Sequence, residues 1–443
     1  MIDREAAWVA EAAGGRLVAG DAGGPGPRRA VVDSRDVQPG DLFVGLVGAS
    51  ADGGEFAAQA LQAGAWGALV GPHRAEELAS TGAGGAPVIA ADNTLHALHG
   101  LAREWRRELG CPVVGITGST GKTSTKDILR ALLAGSGLQV HANRQNWNTE
   151  IGLPLSILAA ERGVEALVLE MAMRGEGQIA ELVAIAEPDV GVIVNVGPVH
   201  LELLGTVERV AAAKAELIRD LRPDGAVVVP VNEPLLDPHL REEHEVITFG
   251  DGGDVTLESF DAGRARIAAR GQQIELDLAY EEPYNLVNTL AAVGAAIALG
   301  IRPSGRVEPE FSSYRGEIVQ LDGGVTVVND CYNANPMSMR AALDHLADSA
   351  AERRLAILGT MAELGPESAR FHREIGEHAA ARGIDVLVTV GEEAVPFGDR
   401  FDGPTYAVAT PEEAGALLEE LAQPGDRVLV KGSRAVGLER VLA

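Results

Sequence analysis

The sequence predicts an α/β fold in three domains, a central doubly wound sheet flanked by a small amino-terminal α/β domain and a carboxy-terminal Rossmann-like α/β domain. Three observations predict it. At 443 residues the chain exceeds a single ordinary core. Short apolar, β-branched runs alternate with helical periods along most of its length, the pattern of parallel strands joined by helices. The stretch Ile301-Arg-Pro-Ser-Gly-Arg-Val-Glu-Pro-Glu, rich in proline and glycine, reads as a hinge between two such series. The expected domains are residues 1–108, 109–305 and 306–443.

In the first unit, 30–33, 41–46 and 68–70 read as strands and 55–63 as an amphipathic run. Glycine and alanine cluster in a loop at 80–86, and 94–108 carries a helical period that Gly110 and Pro112 stop. From there strand and helix alternate: strand 113–117, a helix from Lys122, a strand near Leu138, a helix from Glu150, strand 166–169, helix 177–186, strand 190–195, helix 207–221 and strand 226–229. Such alternation puts ligands at the carboxyl edge of the sheet. Residues 246–278 alternate with period two, as antiparallel strands do, and 284–300 return as an alanine-rich helix. The third unit reads as strand 325–329, helix 336–350, strand 355–358, helix 369–382, strand 386–390, helix 411–421 and strand 427–430.

Composition narrows the partners. With 64 acidic against 37 basic side chains the formal net charge is -27, which repels nucleic acid and anionic membranes, so no nucleic-acid partner is expected. An anionic substrate must then be held by local features such as helix N-termini and single Lys or Arg residues. Cys111 and Cys331 are too few for a disulfide framework, and no charged-then-apolar leader opens the sequence. Apolar stretches are interrupted well before the roughly 18 residues a bilayer needs. A reduced, cytoplasmic, uninserted protein is the expectation, acting as a monomer.

The segment Pro112-Val-Val-Gly-Ile-Thr-Gly-Ser-Thr-Gly-Lys-Thr-Ser-Thr-Lys sets an apolar strand directly before a glycine-rich turn. A bound phosphate needs converging backbone N–H groups, a helix N-terminus behind them and a fixed cation. Thr117, Gly118, Ser119, Thr120, Gly121, Lys122, Thr123 and Ser124 supply that set: the glycines let the backbone close on the oxygens, Lys122 brings charge and Thr123 a magnesium ligand. Ile116 stands where the general nucleotide loop has its first glycine, so the surviving pattern is Thr-Gly-x-x-Gly-Lys-Thr. It makes the central sheet nucleotide-binding.

Further candidates lie at or beyond strand ends. Glu170 closes the strand Ala-Leu-Val-Leu-Glu, either as a magnesium ligand or as a hydrogen-bonded turn residue. His200, in Asn195-Val-Gly-Pro-Val-His-Leu-Glu, either binds a second cation or caps a loop. Lys214, amid alanines, either snorkels to water or faces the magnesium site as a neutral amine that takes up carbon dioxide as a carbamate. The segment Asn329-Asp-Cys-Tyr-Asn-Ala-Asn-Pro offers directional hydrogen bonders, with Asn335-Pro336 as N-cap and first helical residue. Arg315, shortly before, suits a migrating phosphoryl group.

Taken together these residues resemble the Mur ligases, ATP-dependent amide-forming enzymes of peptidoglycan precursor synthesis, across nearly the whole chain. Thr-Gly-Ser-Thr-Gly-Lys-Thr, Glu170, His200 and Ala-Lys214-Ala-Glu, in that order, look like the family's nucleotide loop, magnesium glutamate, magnesium histidine and carbamylated lysine. Asp33-Ser34-Arg35 followed by Pro39-Gly-Asp-Leu-Phe looks like the domain that receives the uridine diphosphate end of the substrate, implying substrate contacts at Ser34 and Arg35. Asn146-Trp-Asn-Thr-Glu-Ile-Gly-Leu-Pro, Asp330-Cys-Tyr-Asn-Ala-Asn-Pro, Met361-Ala-Glu-Leu-Gly and Val430-Lys-Gly-Ser-Arg are similar to the members that add D-alanyl-D-alanine to UDP-N-acetylmuramoyl-tripeptide. The resemblance implies ATP and Mg²⁺, with Thr123, Glu170, His200 and Lys214 on metal, Lys122, Lys214, His200 and Arg315 catalytic, and Asn288, Arg315 and Asp330 on the nucleotide. It implies further substrate contacts at Asn146, Asn148, Thr149, Glu150, Asn333, Asn335 and, for the dipeptide carboxylate, Lys431.

Two stretches depart from the family pattern. Asp52-Gly-Gly-Glu-Phe replaces the usual Asp-Gly-His-x-Phe, removing one side chain near the nucleotide sugar, and Met171-Ala-Met-Arg replaces Gly-Ala-Asn after Glu170, adding Arg174. The rival readings are a folylpolyglutamate synthetase-like amide ligase and an ATP-binding switch that makes no bond.

Overall fold

The computed structural model describes every residue except 2, 49, 50, 82–84, 145 and 443, so the middle of the loop expected at 80–86 lies outside the described residues. Among the described residues three sheets form, of five, ten and six strands. The amino-terminal sheet runs Arg16–Ala19, Val88–Ala90, Gly67–Val70, Leu42–Val44, Ala30–Val31 in spatial order, parallel except at the Arg16–Ala19 edge. Helix Thr94–Leu109 closes this domain, begun by the Asn93 side chain accepting from His96 N and ended at Gly110 with φ 67°. Its apolar face carries Leu98, Leu101 and Trp105 into a core shared with Leu153 and Leu158 of the central domain, where Trp105 Nε1 donates to Ala160 O at 3.0 Å.

The central sheet holds ten strands. Its parallel half places Val113–Thr117 between Ala166–Glu170 and Val190–Ile193. Beyond these lie Val140–Ala142 on one side and Ala226–Pro230 and Glu245–Phe249 on the other. The chain leaves Val113–Thr117 toward one side and returns to the other, so the switch point of the sheet lies at the end of that strand. Helix Lys122–Gly135 starts there and packs against Pro283–Ala298.

Of the segment 246–278 expected to be antiparallel, Glu245–Phe249 is instead parallel to both its neighbours, while Val255–Asp261, Arg264–Ala269 and Gln272–Leu278 pair antiparallel and extend the same sheet rather than making one of their own. Gly305–Val307 then pairs with Gln272–Leu278, so the central sheet runs two residues beyond 305 and the proline-rich stretch itself carries a strand. The carboxy-terminal sheet runs Glu317–Leu321, Val325–Asp330, Asp426–Lys431, Arg353–Gly359, Val386–Val390, Thr405–Val408, antiparallel only at its first pair.

Two departures from expectation have physical causes. Arg16–Ala19, Glu317–Leu321 and Thr405–Val408 were not expected as strands; each lies at a sheet edge, where partial exposure blurs the apolar alternation. The helix expected over 207–221 breaks at Ala215 into Val207–Lys214 and Glu216–Arg219. Glu216 there accepts from Gly177 N at 2.6 Å and Ala180 N at 3.0 Å, capping the helix Gln178–Ala186. Cys111 and Cys331 are buried free thiols. Among the described residues no helix is long and apolar enough to cross a membrane.

Candidate active site

The loop 117–124 occupies the switch point and is shaped mainly by a residue the motif did not flag, Asn195. Its Oδ1 accepts from Thr120 N at 2.9 Å, its Nδ2 donates to Thr120 Oγ1 at 2.8 Å, and its carbonyl accepts from Ser119 N at 3.1 Å. Ser119 Oγ accepts from Gly197 N at 2.9 Å, so the loop is stitched to the neighbouring strand's exit on two levels. A polar residue directly after an apolar strand, one strand over from the loop, was the available signal.

Gly121 has φ 74°, and a Cβ there would meet Asn288 Oδ1 at 2.4 Å and Val194 Cγ1 at 3.1 Å. Asn288, expected on the nucleotide, is thus packed under the loop, 5 % exposed, with its amide donating to Asn285 Oδ1 at 3.2 Å. Gly121→Ala is expected to combine backbone strain with this collision, costing about 2 to 4 kcal/mol of stability. A urea melt would read this, and nucleotide affinity should fall at least tenfold; an unchanged melt would contradict it.

Lys122 Nζ donates to Gly118 O at 2.8 Å, which folds the ammonium over the loop mouth. Burial lowers its pKa, the Glu170 carboxylate opposes that shift and the Arg315 guanidinium adds to it. Arg315 stacks on Tyr332, its Cζ 4.0 Å from the ring centroid, and its Nε is buried without a partner among the described residues. Two cations and an unmatched donor converging on one glycine-rich loop fit an anion.

Glu170 is 2 % exposed. Its Oε2 accepts from Thr123 Oγ1 at 2.7 Å and its Oε1 from Asn148 Nδ2 at 2.8 Å. Asn143 clamps its backbone, accepting from Glu170 N and donating to Glu170 O, each at 2.9 Å. A buried carboxylate touching a loop hydroxyl is a pair of hard oxygen donors, suited to Mg²⁺ that keeps waters and phosphate oxygens as its other ligands. Among the described residues no group of three or more His, Cys, Asp or Glu gathers. Of the stretch 146–150, Asn148 reaches this pair, Glu150 O accepts from His99 Nε2 at 2.7 Å, and Asn146 and Thr149 are exposed.

Lys214 is 2 % exposed. Burial, with a smaller contribution from the charge of Lys122, holds its pKa well below that of ordinary lysine. Of the two readings of this residue, snorkelling is excluded by the burial. His200 caps the short helix Leu201–Leu204 and its Nδ1 hydrogen-bonds Glu363 Oε2 from the carboxy-terminal domain. That bond, with the charges of His200 and Arg174, holds the Glu363 carboxyl below the usual range.

The carboxy-terminal domain meets the loop through Asn335. This residue caps the helix Pro336–Asp348 in a capping box with Ser338, and its Nδ2 donates to Ser119 O at 3.3 Å. Lys431, expected to anchor a carboxylate, sits 2 % exposed, with its Nζ 2.6 Å from Asp330 Oδ2 and donating to Asn333 O at 3.1 Å. It fixes the Asp330–Asn333 turn beside the loop. Ser34 and Arg35 lie in a turn of the amino-terminal domain, where Arg35 pairs with Asp33 at 2.5 Å and remains largely exposed. In the altered Asp52-Gly-Gly-Glu-Phe stretch, Arg74 binds both Asp52, at 3.1 Å, and Glu55, at 2.7 Å.

Comparison with known proteins gives matches in all three domains. Residues 31–106 match the Mur ligase family catalytic domain, 116–296 the Mur ligase middle domain and 314–434 the Mur ligase glutamate ligase domain. A UDP-N-acetylmuramoyl-tripeptide–D-alanyl-D-alanine ligase of a Synechocystis species is 36 % identical over 93 % of this chain and 90 % of its own. The crystal structure of MurF from Acinetobacter baumannii superposes with a TM-score of 0.86 at 27 % identity, covering 99 % of this chain and 97 % of that one. MurF ligase from Thermotoga maritima, solved in complex with ADP, gives 0.80 at 33 % identity, covering 94 % and 96 %.

Proposed function

This chain belongs to the Mur ligase family, and from that premise we propose that it joins D-alanyl-D-alanine to UDP-N-acetylmuramoyl-tripeptide with cleavage of ATP to ADP and phosphate, in peptidoglycan precursor synthesis. The observation that carries the reading is the 3.3 Å bond from Asn335 to Ser119 O: it joins the Tyr-Asn-Ala-Asn-Pro segment, the sequence mark of dipeptide addition, to the phosphate loop itself.

The tripeptide carboxylate attacks the γ-phosphorus of ATP, the bond to the bridging oxygen breaks, and ADP leaves. The dipeptide amine, as the free base, then attacks the acyl carbon; phosphate departs and the nitrogen loses its proton. Lys122 and the loop amides hold the phosphates in line, and Arg315 balances charge on the migrating group. Thr123 and Glu170 would hold Mg²⁺, with His200 toward a second ion; the metal supplies charge neutralisation on the phosphate oxygens. Lys214, buried and with its pKa lowered by burial and the charge of Lys122, suits carbamate formation, in which its free-base nitrogen would bond the carbon of CO₂ and release a proton, turning the side chain into an anion. Ser34 and Arg35 are assigned to the uridine diphosphate end, Asn146, Asn148, Thr149 and Glu150 to the acceptor peptide, Asn288 and Asp330 to the nucleotide, and Asn333, Asn335 and Lys431 to the dipeptide end.

Phosphate release from ATP and Mg²⁺ with UDP-N-acetylmuramoyl-tripeptide tests the proposal. Release is expected only when D-alanyl-D-alanine is added. Release with single amino acids instead would move the amine substrate, and release independent of any amine would overturn ligation.

A further inference from the structure

We propose that Glu363 is the positioning residue of His200, reaching across from the carboxy-terminal domain to fix the imidazole as the Nδ1–H tautomer, with Arg174 holding the second carboxylate oxygen. Its consequence for catalysis rests on the reading of His200 as a metal-side residue.

Glu363 uses both oxygens. Oε2 accepts from His200 Nδ1, and Oε1 lies 3.3 Å from Arg174 Nε. A carboxylate held by a guanidinium is ionised and accepts only, so the proton of a neutral His200 ring sits on Nδ1 and the Nε2 lone pair is left for a cation. Both residues adopt left-handed backbone, φ 53° at His200 and φ 62° at Glu363, where glycine is the cheaper occupant. The chain does place glycine at such positions nearby, Gly205 at φ 80° and Gly365 at φ 58°. Side chains at 200 and 363 therefore stand at positions that carry a local conformational cost. The two backbones are also joined, Glu202 N donating to Glu363 O at 3.2 Å, and Gly365 packs so closely on Glu202 that a Cβ there would lie 3.1 Å from its Cα. This contact defines where the carboxylate arrives. Because the partners belong to different domains, the ring is fixed only when the two domains are packed, which ties the metal side of the site to arrival of the domain assigned to the amine substrate. Arg174, the residue added by the Met171-Ala-Met-Arg departure, thereby gains a role without touching substrate.

Two readouts test this on the full-length protein. Long-range ¹H–¹⁵N correlation of the histidine rings at pH 8, with His200 assigned by its loss in His200→Ala, should show the Nδ1–H form in the parent chain. Glu363→Ala should shift it toward the Nε2–H form, and Arg174→Ala, at a side chain 72 % exposed and so harmless to folding, should do so in part. Mn²⁺ affinity in the presence of ATP should fall about 10- to 100-fold in Glu363→Ala, with no further loss when that change is added to His200→Ala. An unchanged tautomer in Glu363→Ala overturns the proposal. A tautomer that moves while His200→Ala binds Mn²⁺ normally supports the positioning contact and overturns the metal reading instead.

Discussion

Lys214→Met is expected to lower amine-dependent phosphate release about a thousandfold, roughly 4 kcal/mol in barrier, while making the protein more stable at neutral pH. The two effects have one cause. Burial and the charge of Lys122 hold the folded-state pKa of Lys214 well below 10.5, whereas the unfolded chain keeps an ordinary lysine. Between those two values the unfolded state binds a proton that the folded state lacks, so stability rises with pH through that window and the penalty is fully present below it. Methionine removes the penalty. The gain should therefore be largest at the acid end of a series of melts in CO₂-depleted buffer and vanish as the pH approaches 10.5. Activity is expected to fall because methionine cannot form the carbamate proposed for Lys214. Lys214→Ala, which leaves space, should recover part of its activity with added formate or acetate. Full activity of Lys214→Ala without such rescue would remove the carbamate from the mechanism.

Lys122→Ala should likewise cost about a thousandfold in kcat, because a half-buried cation already aimed at the loop stabilises a transferring phosphoryl group without reorganisation. Its hydrogen bond to Gly118 O shows that the ammonium is held over the loop in advance. Lys122→Arg should not rescue: a planar, wider fork cannot occupy the space of a compact ammonium above a glycine turn whose underside is filled by Asn288 and Val194. Single-turnover acyl phosphate formation, measured with nucleotide saturating, separates this from weaker binding. Retention of activity within tenfold would mean that Arg315 carries the phosphoryl charge alone.

Much of the fold was legible because it is written in contiguous residues. The strand–glycine–helix order around Lys122, the Asn335-Pro336 helix start and the alternation of strands with helices all depend on neighbours within a few positions. What escaped was the periphery, such as the edge strand Arg16–Ala19, and the merging of the period-two strands into the central sheet, since periodicity names a strand without naming its partner.

The sequence by itself determined the phosphate loop, the carboxylate at the next strand's tip and the family to which they belong, through local turn chemistry and spacing. Only the tertiary structure decided what surrounds those residues: Asn195 and Asn288 bracing the loop, Lys431 turned onto Asp330, Lys214 buried within the influence of the Lys122 charge, and Glu363 reaching His200. The bond from Asn335 to Ser119 spans 216 residues of chain. Such contacts are set by sheet order and by the way the domains pack, and burial, which lowers the pKa of a lysine among alanines, is a property of that packing.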